Sequence, residues 1–205
     1  QEYTDKRATA EADKKPGRNL HLEALARALL GEQRLLINAQ RSVDILGAFR
    51  LAREFDLDIV LDGAAEAHLV LDEIKASGFP VVLHPTMTRA AGEMENASMA
   101  TAAKLQAAGI PFAIQGGYEA YAPKSRNVLF EAGVLIAKGL TWEQALASIT
   151  KTPAEILGLA DRIGTVEPGK DADLALYNGD PFEYTTHCTG TLIDGEFYLG
   201  ETEHL

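Results

Sequence analysis

Apolar and polar positions along this chain fall into blocks. Four short apolar runs, rich in leucine and β-branched residues, are each followed by a helical pattern. The runs cover residues 34–39 (RLLINA), 57–61 (LDIVL), 80–84 (PVVLH) and 111–115 (PFAIQ). They lack polar alternation, as expected for parallel strands buried on both faces. Their starts lie about 23, 23 and 31 residues apart, the length of a compact strand–helix unit.

The helical patterns are equally regular. Asn19 is placed to cap a helix over 20–30, with Leu22, Leu25, Leu29 and Leu30 on one face and Gly31 at its end. Further helices are predicted over 42–55, 64–77, 95–108, 123–138, 141–150 and 152–159. The capping pattern Thr-Trp-Glu-Gln opens the sixth of these seven helices, and Pro153 stands at the first position of the seventh. Alternating strands and helices predict a parallel α/β structure with right-handed crossovers.

Both ends differ from this rhythm. Residues 1–17 (QEYTDKRATAEADKKPG) are polar and charged without apolar periodicity, and read as an extended or fraying arm or a segment cut from a longer protein. Near the other end, 172–177 (ADLALY) alternates like a half-buried strand. Residues 190–199 (GTLIDGEFYL) read as a hairpin around Asp194-Gly195. Three such strands need a further surface to pack on.

Composition narrows the class. The 205 residues suit one domain, or one with a small appendage. Hydrophobic residues at 46% and charged residues at 24% are those of a globular protein. No run is apolar enough for a membrane span. The net charge of -11 repels phosphate backbones and argues against nucleic acid. The single cysteine, Cys188, excludes an internal disulfide and a multi-thiolate zinc site. Its simplest reading is a small buried apolar residue. No targeting segment is visible, and cytoplasm and periplasm both suit the composition.

Residues 149–170 read ITKTPAEILGLADRIGTVEPGK, followed by DADLALYNGDPF and TLIDGEFY. This stretch closely resembles the C-terminal end of the amidohydrolase superfamily, in its imidazolonepropionase-like and prolidase-like branch. There a helix with Thr-x-x-Pro-Ala-x-x-Leu-Gly leads through Gly-Lys-Asp-Ala-Asp into a small β-sandwich. The upstream strand–helix units are similar to the second half of that family's barrel, so the resemblance spans about 19–199. It implies a distorted (β/α)8 TIM-like barrel with a sandwich built from both chain ends, of which four βα units and part of the sandwich are present. The expected division is a polar arm over 1–18, half a barrel over 19–163 and the sandwich portion over 164–205. A complete barrel takes about 250 residues, with its active site at the carboxyl ends of the strands. The half that carries the family's His-x-His pair is missing here or is supplied by another chain. Uncovered sheet edges further predict a homo-oligomer.

The resemblance also places the metal ligands. Strand five of the family ends in His-Ala-His-Arg where this chain has Asn38-Ala39-Gln40-Arg41. Strand six carries Glu-His-Gly-Thr-Glu-Ala where this chain has Asp62-Gly63-Ala64-Ala65-Glu66-Ala67. Strand eight carries an aspartate, ligand and general base, at the place of Gly117. The family positions are thus occupied by Gln40, Gly63 and Gly117. A hydrolytic zinc needs imidazoles and carboxylates to lower the pKa of its water to about 7. Loss of all three implies no cofactor in this chain and a degenerate homologue of hydrolases that cut cyclic amides or dipeptides. Two alternatives stand beside it: an active enzyme whose zinc or other divalent metal is held by the missing half, and a small-ligand-binding or scaffolding module.

Candidate ligand contacts at the strand ends are Gln40, Asp62, His84, Gln115 and Tyr118, with Asn38 and Glu119 beside them. His84, directly before Pro85, is the one candidate for chemistry, weighed against a loop-bonding role. His68 reads as a surface residue in a helix, and His21 and His204 have no partner by spacing. His187 and Cys188 are adjacent and so point to opposite faces of a strand. Gly116-Gly117 reads as a tight βα loop. Residues 86–96 (TMTRAAGEMEN) read as a flexible cover or an ordinary surface loop.

Overall fold

A computed structural model describes residues 2–11, 14–119, 122–123 and 127–199. Its centre is a four-stranded parallel sheet in the order β1-β2-β3-β4, formed by Leu35–Ala39, Ile59–Gly63, Val81–Leu83 and Phe112–Ile114. The register pairs Asn38 with Asp62, Ala39 with Gly63, Asp62 with Val82, and Val82 with Ala113. Sequential order with parallel neighbours is the pattern of successive βα units in a barrel wall. The four predicted runs are these four strands.

Residues on alternate sides of the strands face different surroundings. Ile59, Leu61, Val81, Leu83, Phe112 and Ile114 form one core with the helices that return along the sheet. Those helices are α3 (Ser42–Phe55), α4 (Leu71–Ser77), α5 (Thr101–Ala108) and α6 (Val128–Ala137). Ile45 and Phe49 of α3, Ile74, Leu105 and Leu135 are its largest helical contributors, each almost fully buried. Burial of each such side chain is worth about 1.5–3 kcal/mol. On the other side Val60, Val82 and Ala113 meet Ile156 in a much smaller cluster. Leu36, which shares the side of Asn38, remains 62% exposed.

Two short helices follow α6: α7 (Trp142–Ala147) and α8 (Lys151–Ile156). The capping box predicted at Thr141 is formed, with Thr141 accepting from the Gln144 amide and Gln144 accepting in return. A separate antiparallel sheet, β7-β8-β9, comprises Leu174–Tyr177, Cys188–Ile193 and Glu196–Leu199. Its hairpin turns at Asp194-Gly195, as the sequence indicates, with both residues at positive φ.

Several expectations are corrected. The N-terminal segment is not extended: Glu2–Thr9 forms a helix, α1, packed on α2 (Leu20–Leu29). Tyr3 makes the junction, donating to Glu23 at 3.4 Å and accepting the Asn19 amide at 3.0 Å. The helix predicted over 64–77 is broken into a 3-10 turn at Ala67–Leu69 and α4. Ala64 takes a left-handed φ of 53°, and Glu66 turns its side chain back toward α3, so the first turn cannot be α-helical. The helix predicted over 95–108 is replaced by a 3-10 turn at Gly92–Met94 and α5. There Ser98 accepts the Ala100 amide through Oγ and the Thr101 amide through its carbonyl, which delays the helix start. Before α6, an antiparallel pair β5-β6 (Tyr118–Glu119 and Ala122–Pro123) takes up Pro123, the first residue of the helix predicted over 123–138, and α6 itself begins at Val128. The last helix begins at Lys151, so Pro153 is its third residue and not its first. Cys188 is exposed, not buried, because it stands at the open first position of β8, a strand whose burial is centred on Gly190. His204 lies outside the described residues.

Candidate functional site

The carboxyl ends of β1, β2 and β4 carry a connected row of polar side chains. Asn38 Nδ2 donates to Asp62 Oδ2 at 2.6 Å, and Gln115 Nε2 donates to Asp62 Oδ1 at 3.0 Å. Gln40 Nε2 donates to Asn38 Oδ1 at 3.3 Å, while its Oε1 accepts the Ala65 amide at 3.3 Å. Strand alternation explains the row, because Asn38 and Gln40 are two residues apart and Asp62 is the register partner of Asn38. Both oxygens of the one carboxylate are engaged by amides.

Gly63 ends β2 beneath Gln40. At φ +83° its backbone is in the region that favours glycine, and a Cβ built there would fall 2.2 Å from Gln40 Nε2. The Gln40 carboxamide thus fills the space that any side chain at position 63 would enter. Gly117 is also left-handed, at φ +78°, in the turn before β5. The side chains of Tyr118 and Glu119 lie outside the described residues. Among the described residues, no group of three or more His, Cys, Asp or Glu is arranged to hold a metal ion.

His84 is apart from that row. Its backbone N–H donates to the Gly63 carbonyl at 2.9 Å, and the residue is 3% exposed. Nδ1 lies 2.8 Å from the Pro85 carbonyl, which can only accept, so Nδ1 carries the proton and Nε2 the lone pair. Nε2 is buried without a hydrogen-bond partner among the described residues. Burial pushes the ring's pKa down against opposing contributions from the Pro85 carbonyl and Glu131, so His84 is neutral at neutral pH. His68 is half-buried in the 3-10 turn after β2 and pairs with Thr101 Oγ1 at 3.3 Å, unlike the surface position expected for it.

Two buried carboxylates dominate the loops above the strands, and neither was singled out from sequence. Glu66 is 7% exposed; its Oε2 accepts the Ser42 amide at 2.7 Å and the Ser42 hydroxyl at 2.8 Å, and its Oε1 accepts Asn96 Nδ2 at 2.7 Å. These bonds, the Ser42 amide foremost, hold its pKa down at about 2. Glu131 on α6 is 2% exposed, and its Oε2 accepts the Thr86 amide at 2.6 Å, the Thr86 hydroxyl and the Met87 amide at 3.2 Å. The segment read as a flexible cover is therefore fixed near both ends. A signal for Glu131 exists in the sequence: it is the sole charge in the helical run VLFEAGVLIA.

A model of the amidohydrolase family matches residues 117–198. The crystal structure of an amidohydrolase from Thermotoga maritima superposes with a TM-score of 0.87 at 32% identity, over 96% of this chain and 51% of that one. The chain belongs to the amidohydrolase superfamily. Among curated superfamily members, the imidazolonepropionase of Rhizorhabdus wittichii is 40% identical over 76 residues, 36% of this chain and 19% of that protein. Amidohydrolase tasK of Hapsidospora irregularis is 35% identical over 71 residues, 35% of this chain and 7% of that protein. The chain thus spans about half the length of the solved relative and a much smaller share of the curated ones. The superfamily resemblance drawn from 149–170 and the partial barrel both stand.

Proposed function

We propose that this half-barrel is a catalytically degenerate amidohydrolase module that binds a small polar ligand at its strand ends and does not hydrolyse it. The observation that carries this reading is the Gln40 carboxamide lying over Gly63, bonded to Asn38 and to the Ala65 amide. A strand-six imidazole has no room to start from Gly63, and Gln40 and Asn38 offer neutral amides. Those amides, with Asp62 already accepting from Asn38 and Gln115, do not fit a catalytic zinc, which takes imidazole, thiolate or carboxylate donors. Gly117 likewise offers no general base. The same row of donors and acceptors suits an uncharged ligand rich in hydrogen-bonding groups, with Gln115 and Asp62 at its centre. Completion of the barrel by a preceding half, or by another chain, belongs to the same proposal.

The experiment is metal analysis of the full-length gene product together with hydrolysis assays on cyclic amides and dipeptides. The expected result is no hydrolysis that a chelator removes, and melting-temperature rises with small polar ligands without turnover. Stoichiometric zinc whose removal abolishes hydrolysis overturns the reading.

One observation favours a second reading, in which the missing half holds the metal and His84 assists hydrolysis. A neutral imidazole with Nδ1–H fixed on a backbone carbonyl and Nε2 free is the form that acts as base or ligand. Under that reading His84→Gln abolishes chelator-sensitive turnover; under the first there is none to abolish.

A further inference from the structure

Two carboxylates join the segments that follow the carboxyl ends of the four strands. Glu66, in the connection after β2, reaches Ser42 at the start of the helix after β1 and Asn96 in the connection after β3. Glu131, on the helix after β4, reaches Thr86 and Met87 at the other end of the connection after β3. The segment 85–96 is thus held at one end by Glu131 and at the other by Glu66. Both acceptors are nearly buried; the Thr86 bonds to Glu131 are buried, and those from Ser42, Asn96 and Met87 are partly so. The middle of the segment is open: Arg89, Ala90 and Glu93 are all exposed.

We propose that Glu66 and Glu131 are positioning residues that hold segment 85–96 as a fixed wall of the strand-end face, so that this face is preformed and not completed by closure of a lid. The inference rests on the reading of that face as a ligand site, but its structural content is tested without a ligand. A wall tethered at two points loses little further conformational freedom on binding, which lowers the entropic cost of recognition. It also means that specificity at this face is set by the fixed positions of Thr86 to Asn96.

The test is hydrogen–deuterium exchange and limited trypsin digestion of the full-length protein. In the parent, the Thr86 and Met87 amides exchange slowly and cleavage after Arg89 is slow. Thr86→Val removes the hydroxyl at nearly constant shape, and Asn96→Ala releases the other end. Hydrogen bonds to charged groups are worth enough that either change speeds cleavage at Arg89 roughly tenfold or more, with exchange in α3 and α6 unaltered. Thr86→Ser, which keeps the hydroxyl, restores parental rates. Three results overturn the proposal: parental exchange of Met87 as fast as a free peptide, variants without effect on Arg89, or acceleration spread evenly over sheet and helices. Failure to find any ligand sinks the functional reading instead and leaves the exchange result standing.

Discussion

Trp142 Nε1 donates to Asp180 Oδ1 at 2.9 Å, and the same oxygen accepts the Phe182 amide at 3.0 Å. The Phe182 ring meets the Trp142 indole edge-on, with centroids 5.6 Å apart. Gly133 of α6 lies beneath it, where a Cβ would touch Phe182 Cβ at 3.6 Å. The Asn-Gly-Asp-Pro-Phe stretch after β7 is thereby a strap that fastens the antiparallel sheet to α6 and α7. Its chemistry is packing and hydrogen bonding, and it lies apart from the strand ends. Asp180→Ala loses both bonds and is expected to lower the melting temperature measurably. Because Trp142→Phe breaks one of the same bonds, the double variant is expected to fall well short of the sum. Thermal unfolding of the four proteins in the cycle measures this.

Glu66 makes stability depend on acid. Its ordinary pKa of 4.5 falls to about 2 in the folded chain, so between those values the unfolded chain binds more protons. The stabilisation is complete above about pH 4.5 and is lost as pH falls toward 2. Glu66→Gln, which removes the charge, is expected to lower stability at pH 7 and to flatten this dependence. Urea midpoints taken from pH 7 to pH 2.5 at constant ionic strength check it, and equal slopes for the two proteins exclude the assignment.

The sheet was legible in the sequence because β2, β3 and β4 are largely buried on both faces, which gives short unbroken apolar runs such as LDIVL and PVVLH, and β1 keeps such a run although Leu36 and Asn38 are exposed. The broken helices were not legible. Residues 64–77 have helical spacing, yet the Glu66 side chain is drawn to Ser42, a tertiary contact that no local pattern records. The charged arm likewise lacks an apolar stripe, and its helix is fixed by Tyr3 and by the Lys6–Glu2 pair at 2.5 Å. At the site, family spacing pointed to Gln40, Gly63 and Gly117, and the close approach of Gln40 to Gly63 is a geometric relation visible only once the register is known.

Gly63→Ala separates two costs at that point. A left-handed φ of +83° is disfavoured for alanine by about 1–2 kcal/mol. The new Cβ also forces the Gln40 amide away, breaking its bonds to Asn38 and the Ala65 amide, for about 1 kcal/mol more. In a Gln40→Ala background the second cost is already spent, so Gly63→Ala is expected to cost less there by about 1 kcal/mol. Denaturant titration of the four-protein cycle reads this coupling, and strict additivity would mean that Gln40 does not lie over Gly63.

Association follows from what the sheet leaves open. Leu36 on β1 is 62% exposed, and β1 has no second neighbour among the described strands. Along α2, Leu22, Leu25 and Leu29 follow the three- and four-residue spacing of one helix face, and all are exposed. An apolar helix stripe and an unpaired strand edge are each a surface that binds another chain. The 205-residue chain is therefore expected to sediment as an oligomer, or to self-associate at micromolar concentration. Leu25→Glu together with Leu29→Glu should weaken that association at least tenfold, while Ala28, on the buried side of α2, keeps the helix seated. Because these positions are far in sequence from Glu66 and Glu131, the double variant leaves Arg89 protected from trypsin. A stable monomer in the unaltered chain, by sedimentation across that range, would show that β1 and α2 need no cover.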